Sequence, residues 1–254
     1  MDLDYNFTLL LMIFMRMSGC VLFNPILGRK NLPAVIRIGL AAMLTVFTYP
    51  FVPHQPLQIN SVLVMMVCCV KELLIGLAVG FILQLFQSVI IMGGEQMDMQ
   101  IGISMSKIYD PQSNVSMPLS ASLLNAMFIL IFFATNAHLT LIRVFIKLGE
   151  AVPYGDQMIP PGVFESLAGA FSQMLIYAVK LSLPIIAIEM VTQVGIGIIM
   201  REVPQIDIFT VEIQLKIIVG FFAIIILAAP FANFLEGLIT LMFNAISRIY
   251  AMLL

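Results

Sequence analysis

Residues 60–93 read NSVLVMMVCCVKELLIGLAVGFILQLFQSVIIMG, a run of 34 residues with little to interrupt it. The run is continuously apolar, whereas a barrel strand alternates apolar and polar residues over about ten positions. Away from water every backbone N–H and C=O must find a partner within the chain, which leaves helices once barrel strands are set aside. As one helix the run would be about 51 Å long at about 1.5 Å per residue, well beyond the roughly 20 residues that cross a bilayer core. The fold class is therefore all-α, built of polytopic, membrane-associated helical hairpins.

Working outward, the same texture recurs in six apolar stretches, at about 6–27, 34–52, 60–93, 117–149, 162–200 and 208–250. Punctuation separates them: Asn24-Pro25, Gly28 to Pro33, Pro50 with Pro53 and Pro56, Gly93-Gly94, Pro153 through Pro160-Pro161, and Arg201 to Asp207 around Pro204. Proline lacks the N–H and restricts its predecessor, so these clusters end helices. By the same rule Pro184 is expected to divide the fifth stretch. The N-terminal sequence, Met-Asp-Leu-Asp-Tyr, is acidic, where a signal peptide has a basic start, so the first stretch is expected to be retained.

Of the 254 residues, 61% are hydrophobic and 10% charged. That is too few charges to tile a watery surface, since a soluble domain carries about 25%. The net charge of −2 gives no basic face for nucleic acid. Charges nevertheless sit well inside the apolar stretches: Arg16, Lys71, Glu72, Lys180, Glu189, Glu212, Lys216 and Glu236. Each would cost at least about 2.5 kcal/mol at a lipid-exposed helix centre. Two explanations compete: spanning helices whose charges face a shared interior, and helices packed on partner subunits that never contact lipid. The recurrence of charge in nearly every stretch favours protein contact over simple spanning, and hydropathy alone overcounts the spans. Lys71 and Glu72 are about 100° apart on a helix, so each needs a partner from another helix. Glu212 and Lys216, four apart with the acid first, fit a pair along one helix.

Catalytic signatures are missing from the sequence. It has no GxxxxGK[ST], HExxH, GxGxxG or GxSxG motif, and its two histidines, His54 and His138, read as structural residues. Cys20, Cys68 and Cys69 lie in apolar runs without metal spacing and read as small buried hydrophobes. The chain is thus expected to be no enzyme and to hold no metal or cofactor. Gly76 and Gly80 form a small-xxx-small pattern that lets a helix approach closely, and Gly195 and Gly197 resemble it.

The segment from Gly93 to Pro118, GGEQMDMQIGISMSKIYDPQSNVSMP, reads as a long connector between two apolar helices. Its glycines permit a break, and Met97, Met99, Met105 and Met117 offer deformable apolar contacts.

At this segment the sequence resembles the FliR family of flagellar export-gate subunits, whose injectisome counterpart is SctT. Matching blocks follow in order: Arg16 with Ser18-Gly19, Pro25, and LPAVIRIGLA from Leu32; KELLIGLAVGF from Lys71; GGEQMDMQIGIS with Asp110-Pro111; Asn136-Ala137-His138 with Pro153; and MREVPQIDIF from Met200, then Leu215-Lys216 and Gly220. Asp207 stands where the family usually has Asn, and near Glu212 and Gln214 the family usually has a Gly and a Pro. The resemblance implies a FliP-like helical region over 1–160, with a plug loop at about 93–118, and a FliQ-like helical hairpin over 161–254. It implies FliP and FliQ as partners, with an FlhB-type switch subunit, membrane lipid and unfolded flagellar substrates, in the inner membrane at the flagellar basal body. Gly93, Gly94, Met97, Met99, Ile101, Gly102 and Met105 would form the plug. Arg16, Lys71, Glu72, Glu189, Arg201, Glu212 and Lys216 would set assembly register as buried charges. The competing reading is a proton-coupled secondary transporter using Glu72 or Glu189 as its embedded carboxylate.

Overall fold

The computed structural model describes residues 2–26, 28, 33–52, 61–104, 118–155, 160–202 and 208–253. Among these there is no strand, and the helices follow the apolar runs: α1 Asp2–Leu22, α2 Ala34–Thr48, α3 Val62–Ile101, α4 Leu119–Ala134, α5 Ala137–Ala151, α6 Pro161–Glu202, α7 Ile208–Ile226 and α8 Ala228–Leu253. A short 3-10 turn, Tyr49–Phe51, follows α2. Pro33 and Pro118 occupy the N-cap positions of α2 and α4, where a missing N–H costs nothing.

Two expectations about breaks are corrected. Gly93-Gly94 does not interrupt α3, which continues to Ile101. These glycines admit close neighbours instead: a Cβ on Gly94 would overlap the backbone of Ala121, and one on Gly93 would press on Leu181. The helix ends at Gly102, whose φ of 93° belongs to the left-handed region that glycine enters without penalty. Pro184 does not divide α6, which runs through it, since one lost backbone bond in an apolar helix is tolerated where neighbours re-satisfy the freed group.

The fourth and sixth stretches, by contrast, each form two helices. Asn136, at φ 55°, turns the chain by 71° between α4 and α5, and asparagine is among the few residues that visit this conformation readily. Leu227 separates α7 from α8, and Pro230 falls in the first turn of α8, where proline fits.

Two compact units emerge. The first comprises Met1–Gln87, Asn136–Ser172 and Ile239–Leu254; the second, Ser88–Thr135 and Gln173–Leu238. In the first unit α1 packs on α2, and α2 on α5. A Cβ on Gly76 would overlap Arg16 of α1, and one on Gly80 would crowd Gly19, so the small-xxx-small pattern marks a true helix contact. Gly195 and Gly197 instead face open space within the chain. In the second unit Gly220 of α7 seats Ile101 at the end of α3.

By length and composition four helical segments could cross a membrane: Ala34–Phe51, Val62–Ile101, Pro161–Ile199 and Ala228–Leu253. The bent pair of α4 and α5 would make a fifth. No more than 33% of the window in any of the four is buried inside the chain, so their outer faces need lipid or another protein to cover them.

Candidate functional site

The first unit is organised around a charge that the sequence places in the middle of an apolar helix. Arg16 on α1 is fully buried. Its Nε donates to Glu72 Oε2 at 2.7 Å, and Nη2 lies 2.6 Å from the same oxygen. Nη1 donates to the carbonyls of Leu148 and Val152, each at 2.9 Å, and Nη2 to that of Pro153 at 3.2 Å. The last carbonyls of a helix have no partner within it, and a cation there also suits the helix dipole, so Arg16 caps α5 from another helix. Glu72, on α3, completes the circuit by accepting the Gly155 N–H at 3.0 Å. The guanidinium lies over the Tyr154 ring, 3.8 Å from its centroid. Burial pushes the Tyr154 phenol above its usual range, the Arg16 charge offsetting this only in part. Cys68 Sγ donates to the Gly155 carbonyl at 2.9 Å, tying α3 again to the turn after α5. Three helices and the turn at 152–155 thus converge on one ion pair.

A second polar centre lies in the second unit, where α3 ends and α4 begins. Asp98 is buried, and its Oδ1 accepts both the Ser120 N–H, at 3.1 Å, and the Ser120 hydroxyl. The Asp98 carbonyl accepts the N–H groups of Gly102 and Ser104, at 3.1 and 3.3 Å. Ser182 on α6 donates to Gln96 Oε1 at 2.6 Å.

The third group is only partly satisfied. Lys216 and Glu212 pair at 2.8 Å along α7. Glu189 on α6 is fully buried, yet neither of its carboxyl oxygens finds a hydrogen-bond donor among the described residues. The opposite charge acting on it is that of Lys216.

A family model described as bacterial export proteins, family 1, matches residues 7–242. The chain belongs to that family. It is 31% identical to flagellar biosynthetic protein FliR of Bacillus subtilis (strain 168), over 87% of this chain and 86% of that protein. Identity to the FliR of Escherichia coli (strain K12) is 28%, over 92% and 90%. Identity to Yop proteins translocation protein T of Yersinia pestis is 27%, over 83% and 81%. The FliR resemblance carried by the ordered motifs is therefore shown, and this member of the bacterial export family is a membrane-embedded component of flagellar or type III protein export.

Within this family member the residues singled out from sequence have different fates. Arg16 and Glu72 meet each other, and Glu212 meets Lys216. Lys71 is half-buried without an ion pair among the described residues, and Arg201 is exposed in the last turn of α6. Of the plug candidates, Gly93, Gly94, Met97, Met99 and Ile101 are helical and Gly102 ends the helix. Met97 and Ile101 are fully buried in the chain, while Met99 is 67% exposed. Met105, like His54, Lys107, Asp110-Pro111, Met117 and Asp207, lies outside the described residues. Sequence reasoning passed over Asp98, Ser120, Tyr154 and Gly155. An acidic residue four positions before a glycine, Gly102, was the available signal for Asp98. For the Leu148, Val152 and Pro153 carbonyls no side-chain signal exists.

Proposed function

We propose that this chain is a structural and gating subunit of the flagellar type III export gate, assembled with FliP and FliQ around the path of unfolded flagellar proteins. The observation that carries the reading is the pairing of a family match over residues 7–242 with helices whose apolar faces are left largely uncovered by the chain itself. Val35, Val191 and Ile226, each more than 70% exposed, need a partner or lipid, while Lys71 has a charge to offer one. Residues 1–160 would form the FliP-like region and 161–254 the FliQ-like hairpin, α6 being one arm and α7 with α8 the other. Each compact unit draws on both regions, so this division would describe kinship of segments rather than units of packing. An FlhB-type subunit would act beside this gate at the inner membrane.

The plug would centre on the connector after α3, with Met97, Ile101, Gly93 and Gly94 at its helical base. The test is to co-express the chain with FliP and FliQ, weigh the complex by native mass spectrometry, and measure ion leak with and without residues 105–117. A discrete complex that leaks only when 105–117 is deleted supports the reading. A lone chain that keeps neither partner, or a complex whose leak is unchanged by the deletion, counts against it.

One observation favours a proton-coupled transporter: the buried carboxyl of Glu189, which has no hydrogen bond among the described residues. That reading requires solute uptake by the chain alone in liposomes, and its loss in Glu189→Gln.

A further inference from the structure

We propose that the groove beside Lys71 is a seat for one anionic phospholipid, with its phosphate on the Lys71 ammonium and an acyl chain lying between α3 and the start of α6. Such a seat needs only a chain embedded in a membrane, and it holds whether or not the gate reading does.

The outward side of α3 is apolar over its first half: Leu63, Met66, Val67, Val70 and Leu74 are all exposed. Between Val62 and Phe81 the helix carries two charges, Lys71 and Glu72, and they have opposite fates. Glu72 is buried and neutralised by Arg16. Lys71, about 100° away round the helix, is half-buried and has no ion pair among the described residues. One positive charge is thus left over beside a face that lipid or another protein must cover. An ammonium in such surroundings is costly until an anion meets it, and its four-carbon stem lets it reach along the helix for one.

What lies next along α3 favours a lipid as the source of that anion. A groove of about 290 Å³ begins one turn further on, wholly within the first unit. Leu74, Ala78 and Phe81 of α3 line it, together with Phe164 and Leu167 of α6 and Phe23 just after α1. Leu74 and Ala78 follow Lys71 by three and seven positions, the spacing of one helix face. Lys71 therefore stands about 4.5 Å along the axis from the first residue of the groove. The walls are almost wholly apolar. A cation at one end of an apolar groove matches a phosphodiester joined to a hydrocarbon chain, as in basic pockets between membrane helices that hold lipid headgroups. A partner's carboxylate would account for the charge and leave the groove to be filled separately, whereas a phospholipid accounts for both at once.

The chain has no tryptophan, so a single introduced indole reports on its own surroundings alone. Phe164→Trp puts it in the groove, at a position 63% exposed, and Phe47→Trp, on α2 and 53% exposed, is the control outside the groove. Each full-length variant is reconstituted in vesicles of phosphatidylglycerol and phosphatidylcholine in equal parts. One lipid or the other is brominated on its acyl chains, which quenches indole fluorescence. In the Phe164→Trp chain, phosphatidylglycerol is expected to be favoured about fivefold over phosphatidylcholine, as one lysine at an anionic surface implies. The Phe47→Trp chain should show no preference. Adding Lys71→Gln to Phe164→Trp should abolish the preference, and adding Lys71→Arg should keep it. Equal quenching by both lipids in the Phe164→Trp chain, or a preference that survives Lys71→Gln, overturns the seat. Loss of that quenching once the chain is assembled with FliP and FliQ gives the groove to a partner helix, which overturns the seat and leaves the gate reading standing.

Discussion

Arg16 and Glu189 are both fully buried charged residues on apolar helices, and the structure treats them in opposite ways. Arg16 is matched by a carboxylate, three carbonyls and an aromatic face. Glu189 has no hydrogen bond among the described residues, and its one opposing charge is already committed to Glu212. A fully satisfied network can fix the arrangement of several elements, because losing any member strands a charge in an apolar interior. An unsatisfied carboxyl fixes nothing in the chain as it stands. Arg16 therefore acts as an internal lock of the first unit, whereas Glu189 in the second is left without a hydrogen bond among the described residues.

The largest expected effect tests that lock. Arg16→Met strands Glu72 and should destabilise the first unit by about 3–5 kcal/mol, seen as a lower melting temperature in detergent and early proteolysis. The double variant Arg16→Met/Glu72→Leu should recover much of the loss. If it does not, the carbonyl contacts to α5 matter more than the ion pair. Next comes Gly76→Ala, whose Cβ would overlap the backbone of Arg16, with an expected cost of about 1–3 kcal/mol by the same thermal assay. Asn136→Val forces a branched residue into left-handed backbone at the α4–α5 bend and should cost about 1–2 kcal/mol. Glu212→Ala, removing a pair along a single helix, should cost about 0.3–0.5 kcal/mol. The smallest effect should be that of Glu189→Gln, with no loss of melting temperature. A drop as large as that of Arg16→Met would erase the contrast and show that Glu189 is as tightly matched as Arg16.

Much of this was legible in particular residues. The 100° rotation between Lys71 and Glu72 meant that Glu72 needed a partner from another helix, and Arg16 is that partner. The spacing of Glu212 and Lys216 specified their pair. Pro184 and Gly93-Gly94 were misread because breaker rules describe helices that compete with water. In an apolar setting an unmade backbone bond has no solvent to take it, so α6 and α3 persist through them. The glycine signal was real, but at Gly94 it reported the approach of Ala121 rather than a turn.

By itself the sequence determined that the chain is helical, apolar and in need of cover, because continuous hydrophobic runs leave the backbone no other way to pair its polar groups. Ordered motifs also determined its kinship with the FliR proteins. Only the tertiary structure decided that Arg16 would reach across 56 positions to Glu72, and that Asp98 rather than Pro118 would cap α4. It alone left Glu189 without a hydrogen bond among the described residues. Those outcomes depend on which helix faces meet, and the meeting of faces is a property of distances between residues far apart in the chain, which no local pattern encodes.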